Sequence, residues 1–141
     1  MTPTMTFARF TVAYWCVLIA ALLPIVCAGI AKSGKFKTPR REGGYDNHDP
    51  RQWLARQTDW RARANAAQAN SFESLPFFIG AVIIAHQLGA IQARLDILAF
   101  VFIVLRLLYI MMYVAGLPTA RSIVWSLALA VNIGILFIGY R

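Results

Sequence analysis

Acidic residues are scarce in this chain. Six Asp and Glu stand against 14 Lys and Arg among 141 residues, and the formal net charge is +8 at pH 7. Charged residues of both signs make up only 14%, whereas 59% are hydrophobic. A soluble domain this small carries far more charge, so that class is excluded. Cysteine and histidine are down to two each. Cys16 and Cys27 lie eleven residues apart on one apolar stretch, hence about 16 Å apart along a helix. A disulfide needs Cα atoms within about 7 Å, so both are read as packing residues. His86 has no Cys, Asp or Glu at ligand spacing, and His48 in YDNHDP fits turn chemistry between Asp46 and Asp49 better than a loose cation site. No P-loop, dinucleotide fingerprint, nucleophile elbow or zinc motif occurs, and no metal ligand set is expected.

What the chain has in quantity is long apolar runs, with a mean hydropathy of +0.58. They predict an all-α, integral membrane four-helix bundle, a single domain over residues 1–141. The spans fall at about 10–31, 61–88, 95–115 and 122–140. The first run is too long for a signal-peptide core and is followed by a poor cleavage site, so it reads as a retained helix, with a cleaved signal as the minor alternative. Pro24 is expected to kink it. Residues 32–60 form the only long polar connection, rich in Gly, Pro and charge, and much of it reads as loosely ordered loop.

Charge sets the orientation. The end holding residues 32–60 and the last turn carries Lys32, Lys35, Lys37, Arg40, Arg41, Arg51, Arg56, Arg61, Arg63 and Arg121, against Arg9, Arg94 and Arg141 at the other. The positive-inside rule then makes the long loop cytoplasmic and puts both termini outside, in an inner (plasma) membrane. The excess charge is accounted for by topology and anionic membrane lipids and requires no nucleic acid.

Span two carries polar groups inward. Arg63, Ala66, Asn70, Glu73 and Phe77 share one helical face, and Glu73 lies fifteen residues from Leu88, about 22 Å above the far boundary. An unpaired ionised side chain at the bilayer centre costs about 3 kcal/mol or more, so that face must look into the bundle. Arg106 on span three sits at a similar depth, with Tyr109 and Tyr113 on its face, and a Glu73–Arg106 pair is expected within one chain or across a subunit contact. Such a pair either only holds the bundle together or anchors a polar pocket. Convergence of Asn70, Tyr109, Tyr113 and Arg121 favours the pocket. Asn132 on span four is expected to hydrogen-bond across helices.

The stretch Arg63…Asn70-Ser71-Phe72-Glu73-Ser74-Leu75-Pro76, followed by Arg106-x-x-Tyr109-x-x-x-Tyr113 and Arg121-Ser122, resembles the MAPEG family, the membrane-associated proteins of eicosanoid and glutathione metabolism, in a member of bacterial type. The likeness covers nearly the whole chain. It implies a homotrimer binding glutathione between subunits near the cytoplasmic side, and a glutathione-dependent transferase or peroxidase acting on lipophilic electrophiles or hydroperoxides. By position, Arg63, Asn70 and Glu73 would meet the peptide part of glutathione, Tyr109 and Tyr113 would line the site, and Arg106 would support Glu73 or the ligand. Arg121 would face the sulfur with Ser122 as a second donor. Lys32 or Lys35 would supply the basic residue expected at the end of span one. Two departures stand out: Ala66 occupies a position that is usually arginine, with Arg61 or Arg63 as candidate substitutes, and Trp125 stands where some relatives have tyrosine. Some members of the family bind lipid without catalysis, so a non-catalytic lipid-binding or scaffold protein is the alternative. A small transporter using Glu73 as its coupling carboxylate is a third reading, opposed by the expected arginine partner.

Overall fold

Thr11 sets the start of the first helix in the computed structural model, which describes residues 9–141. Its hydroxyl accepts the Tyr14 backbone N–H at 3.2 Å, satisfying one of the donors a helix start leaves free. Helix α1 then runs Val12–Lys32 with Pro24 inside it, so the proline does not end the helix. Asp96 reaches across from another helix and accepts the Ala13 N–H at 2.9 Å, so α1 is capped twice. The remaining long helices are α3 (Asp59–Gln87), α4 (Gln92–Val114) and α5 (Pro118–Phe137), with short α2 at Pro50–Ala55. No strand occurs among the described residues.

The two tight connections follow from single glycines. Gly89 and Gly116 both adopt positive φ, +75° and +76°, which a side chain would resist. After α4, Gly116 N–H donates to Tyr113 and Leu117 N–H to Met112, closing the last turn with a left-handed cap. After α3, Gly89 and Ala90 do the same to His86 and Ala85. Pro118 begins α5 where no backbone donor is needed. Helix α5 therefore starts four residues earlier than the sequence pattern alone suggests.

The four long helices form a diamond. Helices α3 and α4 make the short diagonal, each touching both tips, while α1 and α5 sit at the tips and do not pack on one another. The core is made of small and apolar side chains: Ala13, Cys16 and Ala20 of α1 meet Phe78, Ala81 and Ala85 of α3, and Phe78 stacks on Phe102 at 4.3 Å. Both cysteines are buried free thiols in these packing clusters, as expected. Helices α1, α4 and α5 are each long and apolar enough to cross a membrane. Helix α3 has the length, 29 residues or about 43 Å, but its polar first half keeps it below that apolar standard.

The 32–60 connection is more ordered than expected. Asp49 caps α2 by accepting the Gln52 N–H at 3.3 Å, and Pro50 occupies its first turn, a start signal the overall polarity masks. Trp53 and Leu54 then bury themselves against Ala31 and Ala64. Trp53 Nε1 donates to the Gly43 carbonyl, and Asp46 accepts both the His48 N–H and Arg40. The carboxyl of Asp46 is held below its ordinary range, chiefly by the His48 N–H. The Asp46–His48–Asp49 run is thus turn and cap chemistry.

Candidate ligand site between α3, α4 and α5

Arg106 is the centre of the site. Only 2% of it is exposed, and no carboxylate lies within ion-pair distance of it among the described residues. Its Nη2 donates to Asn70 Oδ1 at 2.8 Å and to Ser71 Oγ at 3.4 Å, and its guanidinium lies 4.3 Å from the centre of the Tyr109 ring. The expected direct Glu73–Arg106 pair is therefore not made within the chain. Asn70, one turn before Glu73, occupies the space between them: it accepts from Arg106 and offers its Nδ2 to Glu73 at 3.5 Å. Glu73 itself is exposed on the isolated chain. The objection to a transport role from a permanent arginine partner is correspondingly removed.

From Arg106 a ladder of cations and rings climbs to the end of α4. Tyr109 meets Tyr113 edge-on at 5.7 Å, and the Arg121 guanidinium sits 4.3 Å above the Tyr113 ring. Each such cation–ring contact contributes about 0.5–2 kcal/mol. Arg121 lies in the first turn of α5, where the helix dipole disfavours a cation.

Two cavities share Asn70 and Trp125. The upper one, about 430 Å³, is lined by Asn70, Tyr109, Tyr113, Arg121, Ser122, Trp125 and Ser126. The lower one, about 210 Å³, is lined by the polar Asn70, Glu73, Ser74, Arg106 and Asn132 together with apolar and aromatic side chains. The predicted residues Asn70, Glu73, Arg106, Tyr109, Tyr113, Arg121 and Ser122 are thus brought together. Ser126 was missed, and Trp125 was noted only as a departure from relatives, although they stand four residues after Ser122 and Arg121 on the same face. Ser71, inside the Asn70–Pro76 motif, is a direct partner of Arg106.

Arg63 and Lys32 are placed differently. Arg63 Nε donates to the Val114 carbonyl at 3.1 Å and so caps α4, while its guanidinium lies beside Gly116 and Arg121. Arg61 Nη1 donates to the Ala31 and Ser33 carbonyls, capping α1. Arg63 keeps its terminal nitrogens beside Tyr113 and Arg121, in a small cavity next to the upper one. Ala66 faces a separate groove whose rim carries Arg51. Lys32 lies 4.6 Å above the Tyr45 ring and lines neither cavity. Asn132 departs from expectation too: its Oδ1 is buried without any hydrogen-bond partner, a state that costs about 1–3 kcal/mol. His86 packs on Tyr14 at 5.3 Å.

A helical bundle with three membrane-length apolar helices, and a cationic, tyrosine-lined cleft beside one end of them, defines the class as an integral membrane protein. The chain belongs to the MAPEG family, whose model matches residues 12–140. Membership is consistent with a membrane function connected with glutathione. No curated protein and no solved structure matches the chain.

Proposed function

We propose that the protein is a glutathione-dependent transferase or peroxidase that attacks lipophilic electrophiles or hydroperoxides arriving through the bilayer. The observation that carries this reading is Arg106: a buried guanidinium with neutral partners only, lining a cavity that shares Asn70 and Trp125 with the cavity lined by a second guanidinium, Arg121. Glutathione is anionic and extended, and two cations along one cleft match it in charge and span. Arg106 and Asn70 would hold its peptide part, with Glu73 available to its amino group, while Tyr109 and Tyr113 wall the cleft.

The chemistry needs the thiolate. A thiol with pKa near 8.5 is mostly protonated at neutral pH. A guanidinium aimed at sulfur favours the anion, and each unit of lowering is about 1.4 kcal/mol. Arg121 would supply that field, Ser122 a second donor, and the thiol proton leaves to water at the cleft mouth. The thiolate then displaces a leaving group such as halide from the electrophilic carbon, or attacks the terminal oxygen of a hydroperoxide, breaking the O–O bond to give glutathione sulfenic acid and an alkoxide that takes a proton from water.

The reading includes a homotrimer, α3 as a fourth span, the basic end bearing residues 32–60 in the cytoplasm, and both termini outside. The basic loop, Arg63 and Arg121 all lie at one end of the bundle, which supports the charge-based orientation. A non-catalytic lipid-binding or scaffold role is the second reading. It is favoured by Ala66, which leaves the site without a guanidinium at that position of α3.

Calorimetry with glutathione on the detergent-solubilised protein decides between them. Millimolar or tighter binding that is lost in Glu73→Ala is expected; no heat at all from the wild type supports the scaffold. In a conjugation assay with a lipophilic aryl halide, Arg121→Ala should lose turnover sharply while keeping its assembly state, and full activity would remove Arg121 from the sulfur.

A further inference from the structure

Two guanidiniums share a small cavity at the α4–α5 turn with no anion to answer them. Arg63, Tyr113, Gly116, Leu117, Pro118 and Arg121 line a space of about 250 Å³. Arg63 commits only its Nε, to the Val114 carbonyl. Its terminal nitrogens lie against Gly116, where an added Cβ would stand 3.7 Å from Nη2. The Arg121 guanidinium rests 4.3 Å above the Tyr113 ring. Among the described residues no carboxylate lies within ion-pair distance of either arginine. Like charges lining one cavity repel unless an anion lies between them. The start of α5 adds to the attraction: Leu117 stands at its cap position without a side-chain hydrogen bond, and a helix start favours negative charge.

We propose that this cavity holds the phosphate of an anionic membrane phospholipid, clamped between Arg63 and Arg121. A guanidinium offers a fork of N–H donors that matches phosphate oxygens, so two of them suit a headgroup of net negative charge. Depth favours a lipid over a free phosphate. Helix α4 has 23 residues and ends at Val114. At about 34 Å it matches the thickness of the hydrocarbon core, which puts its end at the level of the headgroups. The cavity lies just beyond that end. Its rim is apolar too, with Leu117 52% exposed, so acyl chains meet no polar wall as they leave the site. This is also the basic end of the bundle, towards which the charge-based orientation places the leaflet rich in anionic lipid. Arg63 stands ten residues before Glu73, about 15 Å along α3, so the site does not use the exposed edge at Glu73. Arg121 and Tyr113 line the upper cavity as well, but lipid binding here does not rest on the glutathione reading.

Calorimetry on the full-length protein in detergent micelles tests the site with dioctanoyl phosphatidylglycerol, dioctanoyl phosphatidylcholine and inorganic phosphate. The phosphatidylglycerol should bind at about tenfold lower concentration than either of the others. Arg63→Gln should weaken it by about 10- to 100-fold, the worth of a hydrogen bond to a charged group. Arg121→Gln, which breaks no helix cap, should do the same and so separates the site from any loss of folding. Arg41→Gln removes an exposed cation of the 32–60 connection, outside the cavity, and should leave the affinity unchanged. Full binding in both cavity variants overturns the proposal, as does an equal loss in Arg41→Gln or equal binding of the two lipids. Inorganic phosphate binding as tightly as the lipid would give the cavity to a soluble phosphate and overturn it too. The same holds if Arg63→Gln weakens glutathione while leaving phosphatidylglycerol untouched, since the cavity would then serve a glutathione carboxylate. A wild type that binds phosphatidylglycerol but no glutathione removes the glutathione reading and upholds this one, so the two fail separately.

Discussion

A guanidinium in the interior of a helix bundle is costly unless its charge is answered, and Arg106 is answered only by an amide, a hydroxyl and a ring. If it served the bundle alone, an apolar residue of similar length would do at least as well, since buried ionic groups are often replaced without loss of stability. Arg106→Met is therefore expected to keep the thermal midpoint within a few degrees but weaken glutathione binding by about 10- to 100-fold, the worth of a hydrogen bond to a charged group. A variant that unfolds yet binds normally when rescued by lipid would reverse the assignment. At Gly44 the constraint is steric: an added Cβ would meet the Thr38 carbonyl oxygen at 1.8 Å. Gly44→Ala should open the 32–60 segment to proteolysis while leaving the helical circular dichroism intact.

At the scale of elements, much was legible because apolar length and glycine–proline punctuation are local signals. The four long helices, the two short turns and the face bearing Asn70 and Glu73 could all be read from spacing. What could not be read was which polar group answers which. The Glu73–Arg106 pair was inferred from depth alone, and depth says nothing about Asn70 standing between them. Arg61 and Arg63 looked wholly available to a ligand because helix-capping partners thirty and fifty residues away are invisible in a local pattern. The ordered loop was hidden by its polarity, although Asp49-Pro50 carried a start signal. Its geometry makes a pH prediction. Asp46 is depressed in the folded loop by the His48 N–H and Arg40, so its contribution is present above the unfolded carboxylate value of about 3.9 and is lost as pH falls through the folded value. Protection of the His48 amide from hydrogen exchange, corrected for intrinsic rate, should be steady at neutral pH and fall below about pH 4; in Asp46→Asn it should be low throughout.

For the whole molecule the telling residue is Glu73, which belongs to the site and yet is exposed on the single chain. Phe72 beside it is 52% exposed and Phe77 41%. A carboxylate left against hydrocarbon costs about 3 kcal/mol or more, while burying it against protein or ligand removes that cost and completes the cavity wall. A second copy of the chain is the partner that symmetry supplies most readily, and closed rings arise when each subunit offers a different face to the next. Native mass spectrometry from mild detergent should accordingly show three chains in one particle. Glutathione should be retained by that particle and not by any monomer released on harsher activation, if a neighbour completes the proposed site. A monomeric mass together with undiminished glutathione binding would mean that Glu73 meets its ligand alone, and the trimer would no longer be needed to explain why this carboxylate sits where it does.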